Sequence, residues 1–180
     1  LKTYHKMIIN LNTIYKSKLI FKKKIFFCQL GKNGKVPNYK KREGDKCTPA
    51  GKFIIKSIFF RRDKKLNISF KKSTKRKTFY IRKNYGWCDD VNSKKYNQLV
   101  DLIHNFKYSH EKLYRSDDVY DIVLELNYNQ DPTIRSKGSA IFLHCSFIDL
   151  RSTNGCVALK KNNLKFLINN LQKQNYIYIR

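Results

Sequence analysis

A chain of 180 residues that is 41% hydrophobic and 14% aromatic can bury a sizeable core without disulfides, which argues against a disordered or disulfide-stapled protein. We expect one domain over residues 1–180. The formal net charge is +26, of which +23 lies in residues 1–83. Either this half binds an acidic polymer, or a lysine-rich composition forms a solvated surface.

Strands dominate the predicted secondary structure. Runs rich in β-branched and aromatic residues predict strands over residues 6–12, 18–30, 52–60, 119–126, 139–147 and 175–180. GKNG (31–34) has the composition of a turn, and in TPAG (48–51) Pro49 and Gly51 predict a tight turn before a strand. Residues 61–83 suggest a long basic loop or an exposed hairpin.

One helix is predicted near the C-terminus. Leu164, Leu167, Ile168 and Leu171 recur at the i, i+3, i+4, i+7 spacing of an amphipathic helix. A second helix is suggested near residues 93–104. The predicted fold class is therefore mainly β with helical additions.

The five cysteines favour free thiols. Their number is odd and they form no CxxC pair, so neither a zinc ribbon nor the disulfide framework of a small secreted domain is indicated. The N-terminal residues lack the uninterrupted apolar run of a signal peptide. No stretch approaches the ~20 apolar residues of a membrane span, so we expect the chain as given to be soluble.

The segment HCSFIDLRSTNGCVAL (144–159) contains the strongest candidate for chemistry. A thiol becomes a nucleophile when a base takes its proton, and His144 leaves a predicted strand twelve residues before Cys156. The backbone amides of Gly155 and Cys156 can then face a developing oxyanion. The spacing alone does not establish this pair, since a lone cysteine is more often a small core residue and a lone histidine an ordinary hydrogen-bonded side chain.

Further motifs carry a family resemblance. In chain order, these motifs are Thr48-Pro49-x-Gly51-x-Phe53, GWCDD (86–90), LYRSDDVYDIVLELNYN (113–129), GSAIFLH (138–144) and, after His144, Thr153-Asn154-Gly155-Cys156. Together they resemble the L,D-transpeptidases with a YkuD-type catalytic domain, in a subgroup whose nucleophile motif has the form TxGCVAL. The resemblance covers residues from about 25 to 180. Where many members have histidine and arginine, this chain has Asn154 and Ala158.

The resemblance implies a fold and an activity. The fold would be a YkuD-like β-sandwich or mixed β domain with a C-terminal helix and a final strand. Cys156 would form a thioester with a peptidoglycan stem peptide, His144 would transfer the proton, and the backbone carbonyl after His144 would orient the imidazole. Neither a metal nor an organic cofactor is implied. The substrate suggests the cell envelope or periplasm, while the lack of an evident signal peptide leaves the cytoplasm open.

A stem peptide carries carboxylates and an ammonium group, so we expect a site with both charges. Trp87, Asp89 and Asp90 are candidates for the ammonium side, Arg115 or Arg135 for a carboxylate, and Asn154 for a further contact. Alternatively, Trp87 is a core residue, the two aspartates cap a turn, and Arg115 pairs with Asp117 or Asp118. Weaker candidates are Tyr120, Asp121 and Asn129.

Rival interpretations remain. Cys88, among polar residues, is an alternative nucleophile, whereas Cys145 should face away from His144 because neighbours in a strand alternate. The same nucleophile would also serve an L,D-carboxypeptidase or an amidase acting on intracellular muropeptides. A different class, a nucleic-acid-binding protein, is suggested by interleaved aromatic and basic residues in 59–80. A Cys and His zinc site has little support from the spacings.

Overall fold

The computed structural model describes residues 7–11, 16–68, 76–172 and 176–180, with only the backbone described for 7–11. The strands, in chain order, are β1 (Met7–Leu11), β2 (Lys16–Phe21), β3 (Lys24–Gln29), β4 (Lys35–Pro37), β5 (Thr48–Phe60), β6 (Lys77–Tyr80), β7 (Tyr85–Cys88), β8 (Leu99–Asp101), β9 (His110–Lys112), β10 (Ile122–Leu126), β11 (Phe142–Cys145), β12 (Val157–Leu159) and β13 (Tyr176–Ile179). The helices are a short 3-10 helix (Asn38–Lys40) and α1 (Lys161–Asn170).

The larger sheet closes on itself. Its strands follow the order β10-β11-β12-β3-β2-β1-β13-β5, and β5 also pairs with β10, which completes the cycle. The length of β5 allows this, because its first part pairs with β4 and β13 and its last part with β6 and β10. A second, smaller sheet has the order β8-β7-β9. The mainly β class, with one C-terminal α-helix and a final strand, is confirmed.

Two apolar clusters lie on opposite faces of β11 and β12. Leu143, Cys145 and Val157 project into the first cluster, which also receives the apolar side of α1. Phe142 and Cys156 project into the second cluster, against aromatic residues of the smaller sheet and its neighbours. This division follows from the two-residue period of a strand. The face of these strands that meets the second cluster also lines a cavity, described below.

Helix α1 forms as predicted. Leu164, Leu167 and Ile168 are fully buried on its inner face, and Leu171, just past its end, is buried with them. The Lys161 ammonium group donates to the Asp121 carboxylate at 2.6 Å and ties the first turn to the chain before β10. The burial of these leucines and the isoleucine stabilises the helix more than its own propensity does.

The strand predicted over residues 18–30 is interrupted at Lys22 and Lys23, because the chain forms a hairpin of two strands there. Strands β2 and β3 pair in antiparallel register around Lys22 and Lys23. Both lysines have positive φ, 49° and 63°, as a two-residue hairpin turn requires. Lysine is an uncommon residue at such positions, so the sequence gives no turn signal.

The tight turn predicted at TPAG (48–51) is wrong. These residues begin β5, and Thr48, Pro49 and Ala50 pair in parallel with β4. Proline is accepted because it lies at the second residue of the strand rather than in its middle. GKNG (31–34) does turn, with the Gly34 amide donating to the Gly31 carbonyl.

Two further predictions fail. The helix suggested near 93–104 is replaced by turns and β8, because Asn97 takes a left-handed φ of 58° that a right-handed helix excludes. The hairpin alternative for residues 61–83 fails because β6 joins β5 in parallel. Residues 69–75 of that stretch, and residues 6, 12 and 175 of predicted strands, lie outside the described residues.

In the described ranges, no helix has the length and apolar content needed to cross a lipid bilayer.

We expect Leu143→Ala to lower the free energy of unfolding by about 2–5 kcal/mol, because Leu143 is 0% exposed and its truncation leaves a cavity. Urea unfolding followed through the fluorescence of Trp87, the single tryptophan, measures this loss. The matched control is Ile148→Ala, since Ile148 is fully exposed and should change stability by less than about 0.5 kcal/mol. Equal losses in the two variants would contradict the assignment of the first core.

Candidate active site

A cavity of about 710 Å³ opens where β11 ends and the loop before β12 begins. His144 and Cys156 both line it. Its acidic lining residues are Glu43, Asp89 and Glu111, and its basic ones are Lys46, Arg115 and Arg151. The cavity therefore combines a thiol, an imidazole and charged groups of both signs.

The parallel pairing of β11 with β12 brings the two candidate catalytic residues together. His144 pairs with Ala158, and Cys156 stands two residues before Ala158 in the same chain direction. Because paired residues in parallel strands project to one side, His144 and Cys156 share a face. Cys145 projects into the first core on the opposite face, as the sequence predicts.

The ring of His144 is fixed by a backbone hydrogen bond. Its Nδ1 lies 2.8 Å from the carbonyl oxygen of Cys145, and because a carbonyl can only accept, Nδ1 carries the proton. In the neutral ring, Nε2 then holds a lone pair. Burial lowers the pKa of His144 to about 4, with a smaller contribution from the charge of Arg115. The imidazole is therefore neutral at pH 7 and able to accept a proton.

The thiol of Cys156 rests on the backbone that leads into β11. Its Sγ donates to the Ala140 carbonyl oxygen at 3.0 Å and accepts from the Phe142 amide at 3.3 Å. Burial raises the pKa of Cys156, and the negative charge of Glu111 raises it further. At neutral pH both members of the pair are thus uncharged, a thiol and an imidazole.

Two threonines hold the loop that carries the thiol. The Thr153 hydroxyl donates to the Cys156 carbonyl oxygen at 2.7 Å. The Thr48 hydroxyl lies 3.4 Å from the same oxygen and accepts from the Gly31 amide at 2.8 Å. The sequence marks Thr48 as part of a motif, and the structure places it in contact with the loop that carries Cys156.

Gly155 is needed for its backbone geometry. Its φ is 138°, and a Cβ added there would lie 3.0 Å from the Cys47 carbonyl oxygen, so a larger residue would be strained and crowded. Its amide donates to the Thr153 hydroxyl at 3.1 Å. To donate to an oxyanion, as predicted, this amide must therefore give up its hydrogen bond to Thr153.

Trp87 does not line the cavity, so its predicted contact with substrate is not supported. It is 3% exposed and packs edge-to-face on Phe142, with ring centroids 5.0 Å apart. Its Nε1 donates at 3.0 Å to Asn97 Oδ1, which also accepts from the Ala140 amide at 3.1 Å. Trp87 thus lies in the second apolar cluster, and Asn97 links the tryptophan to the backbone beside the thiol.

The other predicted substrate-binding residues, Asp89, Arg115 and Asn154, do line the cavity. Asp89 Oδ1 is buried and has no hydrogen-bond partner within the described chain. Arg115 donates to the Asp117 carboxylate through two nitrogens, so the predicted pairing with Asp117 is also present. Asn154 is exposed on the loop that carries Cys156.

The remaining candidates have structural positions outside the lining of this cavity. Cys88 is fully buried, which removes the geometric basis for a rival nucleophile. Asp90 accepts from the Asn92 and Ser109 amides, as a turn-capping residue does. Asn129 bridges Ile134 and Gly138, Asp121 pairs with Lys161, and Arg135 is exposed.

Several cavity residues are not evident from the sequence. No motif in the sequence assigns a role to Glu43, Lys46, Glu111 or Arg151, and only the folded chain brings them to the cavity that holds the thiol. Tyr120, a weak candidate by sequence, lines the cavity beside His144. In the part of the chain that is described, no group of three His, Cys, Asp or Glu side chains could hold a metal ion.

Comparison with known proteins identifies a family. A family model described as the L,D-transpeptidase catalytic domain, YkuD, matches residues 6–179. No curated protein and no solved structure matches the chain. Nothing in the family match indicates nucleic-acid binding. Because the match spans nearly the whole sequence, the chain belongs to the YkuD family of L,D-transpeptidase catalytic domains.

Proposed function

We propose that this protein is a cysteine-dependent L,D-transpeptidase that acts on peptidoglycan stem peptides, with Cys156 as nucleophile and His144 as proton acceptor and donor. The observation that carries the proposal is that His144 of β11 and Cys156, the residue just before the parallel strand β12, lie on one face and line one cavity. The hydrogen bond from His144 Nδ1 to the Cys145 carbonyl supports it, because it leaves Nε2 as the accepting atom.

In the first step, Cys156 Sγ attacks the carbonyl carbon of the bond between the third residue, a diamino acid, and the following D-alanine. Burial favours the uncharged thiol and the uncharged imidazole. The thiol proton therefore passes to His144 Nε2 as the sulfur–carbon bond forms. The imidazolium then gives that proton to the departing amine, and a thioester remains.

The developing oxyanion needs N–H donors. We place the Cys156 amide first, because the Gly155 amide, also a candidate, donates to Thr153 at 3.1 Å. Gly155 can contribute once that hydrogen bond lengthens. The φ of 138° at Gly155 and the threonine anchors on the Cys156 carbonyl support a loop shape set before substrate binds.

The charged lining suits a zwitterionic peptide. Asp89 is proposed to face an ammonium group, since its buried Oδ1 lacks a partner in the described chain. Arg115 is proposed to attract a carboxylate, although Asp117 already neutralises part of its charge. Lys46 and Arg151 add positive charge to the same cavity. Asn154, exposed on the loop, is proposed to hydrogen-bond the peptide.

The second step decides the activity. An amine of a second stem peptide that attacks the thioester produces a crosslink, whereas water produces an L,D-carboxypeptidase with the same nucleophile. Either reaction can act on envelope peptidoglycan or on muropeptides inside the cell. The products of one assay therefore distinguish a transpeptidase from a carboxypeptidase.

We expect wild-type protein incubated with a disaccharide-tetrapeptide muropeptide to form a covalent adduct or turn over substrate, and Cys156→Ala to do neither. Intact-mass spectrometry detects the adduct, and chromatography of the products shows dimers or trimmed peptides. Cys88→Ala is the matched control and should retain activity, because Cys88 does not line the cavity. An adduct on Cys156→Ala would overturn the assignment of the nucleophile.

We expect kcat/KM to stay nearly constant between pH 7 and pH 5.5 and to fall about ten-fold per pH unit below about 4. The lowered pKa of His144, about 4, keeps the ring neutral above that pH, and only the neutral ring accepts the thiol proton. Initial rates measured across this range, with circular dichroism to monitor folding, test the expectation. A half-maximal rate near pH 6.5 in folded protein would contradict it.

A further inference from the structure

Two aromatic rings contact the imidazole of His144. The Tyr120 ring meets it edge-to-face, with centroids 5.3 Å apart and an interplanar angle of 74°. Phe147 makes a second edge contact at 6.5 Å. The single hydrogen bond from Nδ1 to the Cys145 carbonyl leaves the ring plane free to tilt about that bond. The aromatic contacts, each favourable only in a narrow range of angles, limit this tilt.

Tyr120 is itself held at its far end. Its hydroxyl donates to Glu111 Oε1 at 2.6 Å, and the ring is nearly fully buried between His144 and Phe142. Glu111 belongs to β9 and pairs in register with Trp87 of β7. The Arg115 guanidinium lies 3.7 Å from the same carboxylate oxygen. A continuous chain of contacts thus runs from the smaller sheet to the imidazole.

The hydroxyl of Tyr120 cannot serve the reaction directly while this arrangement holds. A phenol has one proton, and here it is donated to Glu111. Burial raises the pKa of Tyr120, so the phenol stays protonated at neutral pH. Tyr120 therefore contacts His144 through its ring, and Glu111 fixes the position of that ring through the hydroxyl group.

We propose that Glu111 and Tyr120 are positioning residues that set the plane of the His144 ring from the smaller sheet. The proposal rests on the proposed function only in taking His144 as the group that accepts the thiol proton. Glu111 acts on the hydroxyl of Tyr120, Tyr120 acts on the imidazole, and Nε2 is thereby aimed at the thiol.

The kinetic test measures single-turnover acylation by the muropeptide in a double-mutant cycle. Tyr120→Phe and Glu111→Ala each remove the same hydrogen bond, so each should slow acylation by about ten-fold or more while KM changes by less than about two-fold. The double variant should be no slower than either single variant, because both act through one bond. Glu111→Gln, which keeps an accepting oxygen, should restore most of the rate.

Tyr114→Phe is the matched control. Tyr114 also donates to a carboxylate, that of Asp63, but does not line the cavity, so its acylation rate should equal that of wild type. Additive losses in the cycle, or a rise in KM without a loss of acylation rate, would overturn the proposal. Those results would place Glu111 in contact with the substrate instead.

A second measurement needs no substrate. The pKa of His144 is followed by NMR of its ring in the Cys156→Ala background, with the signal assigned by its absence in His144→Gln. Tyr120→Leu should raise this pKa from about 4 toward the ordinary value of about 6.5, because a freed ring gains access to water. An unchanged pKa together with unchanged acylation in Tyr120→Phe would refute positioning. If Tyr120→Leu raises the pKa of His144 but the wild-type protein does not react with the muropeptide, positioning is supported and the proposed substrate is rejected.

Discussion

The parallel pairing of β11 with β12 is the constraint on which the site depends. It fixes how far His144 and Cys156 stand apart, since Ala158 is the register partner of His144. It also turns both side chains to one face, while Leu143 and Val157 on the other face anchor the strands in the first core. The hydrophobic burial that stabilises the fold therefore also sets the geometry of the proposed thiol and imidazole.

Burial gives this pair an electrostatic character unlike that of a solvent-exposed cysteine. The pKa of Cys156 is raised and that of His144 is lowered, so a preformed thiolate–imidazolium pair is disfavoured. The thiol is instead docked on the Ala140 carbonyl, whose backbone takes a φ of 50° and is held through Asn97. In the proposed mechanism, the thiol must break its hydrogen bond to the Ala140 carbonyl before it reacts. It would therefore become nucleophilic only when the carbonyl carbon of a substrate is in place.

Local signals in the sequence predict much of the fold, and they single out His144 and Cys156, whose catalytic role stays a prediction. The leucine spacing identifies α1, β-branched runs identify β10, β11 and β13, and the TNGC segment after His144 identifies the proposed nucleophile. The predictions that failed depend on contacts between residues distant in sequence or on unusual backbone conformations. Lys22 and Lys23 adopt left-handed geometry that lysine seldom signals, and Trp87 is directed inward by Asn97, ten residues away. The charged lining comes from separate stretches of chain that no single-sequence pattern connects.

The loop between β11 and β12 is fastened near both ends. The Ser146 amide donates to the Leu159 carbonyl at 2.7 Å, and the Thr153 amide donates to the Leu30 carbonyl at 2.9 Å. Between these two points Ile148 is fully exposed, while Phe147 and Arg151 form part of the cavity rim. Insertions, deletions or exchanged charges in residues 148–151, which are exposed, can therefore reshape the rim without altering the strand register, whereas Phe147 is constrained by its contact with His144. In this architecture the shape and charge of the cavity rim can vary while His144 and Cys156 keep their positions.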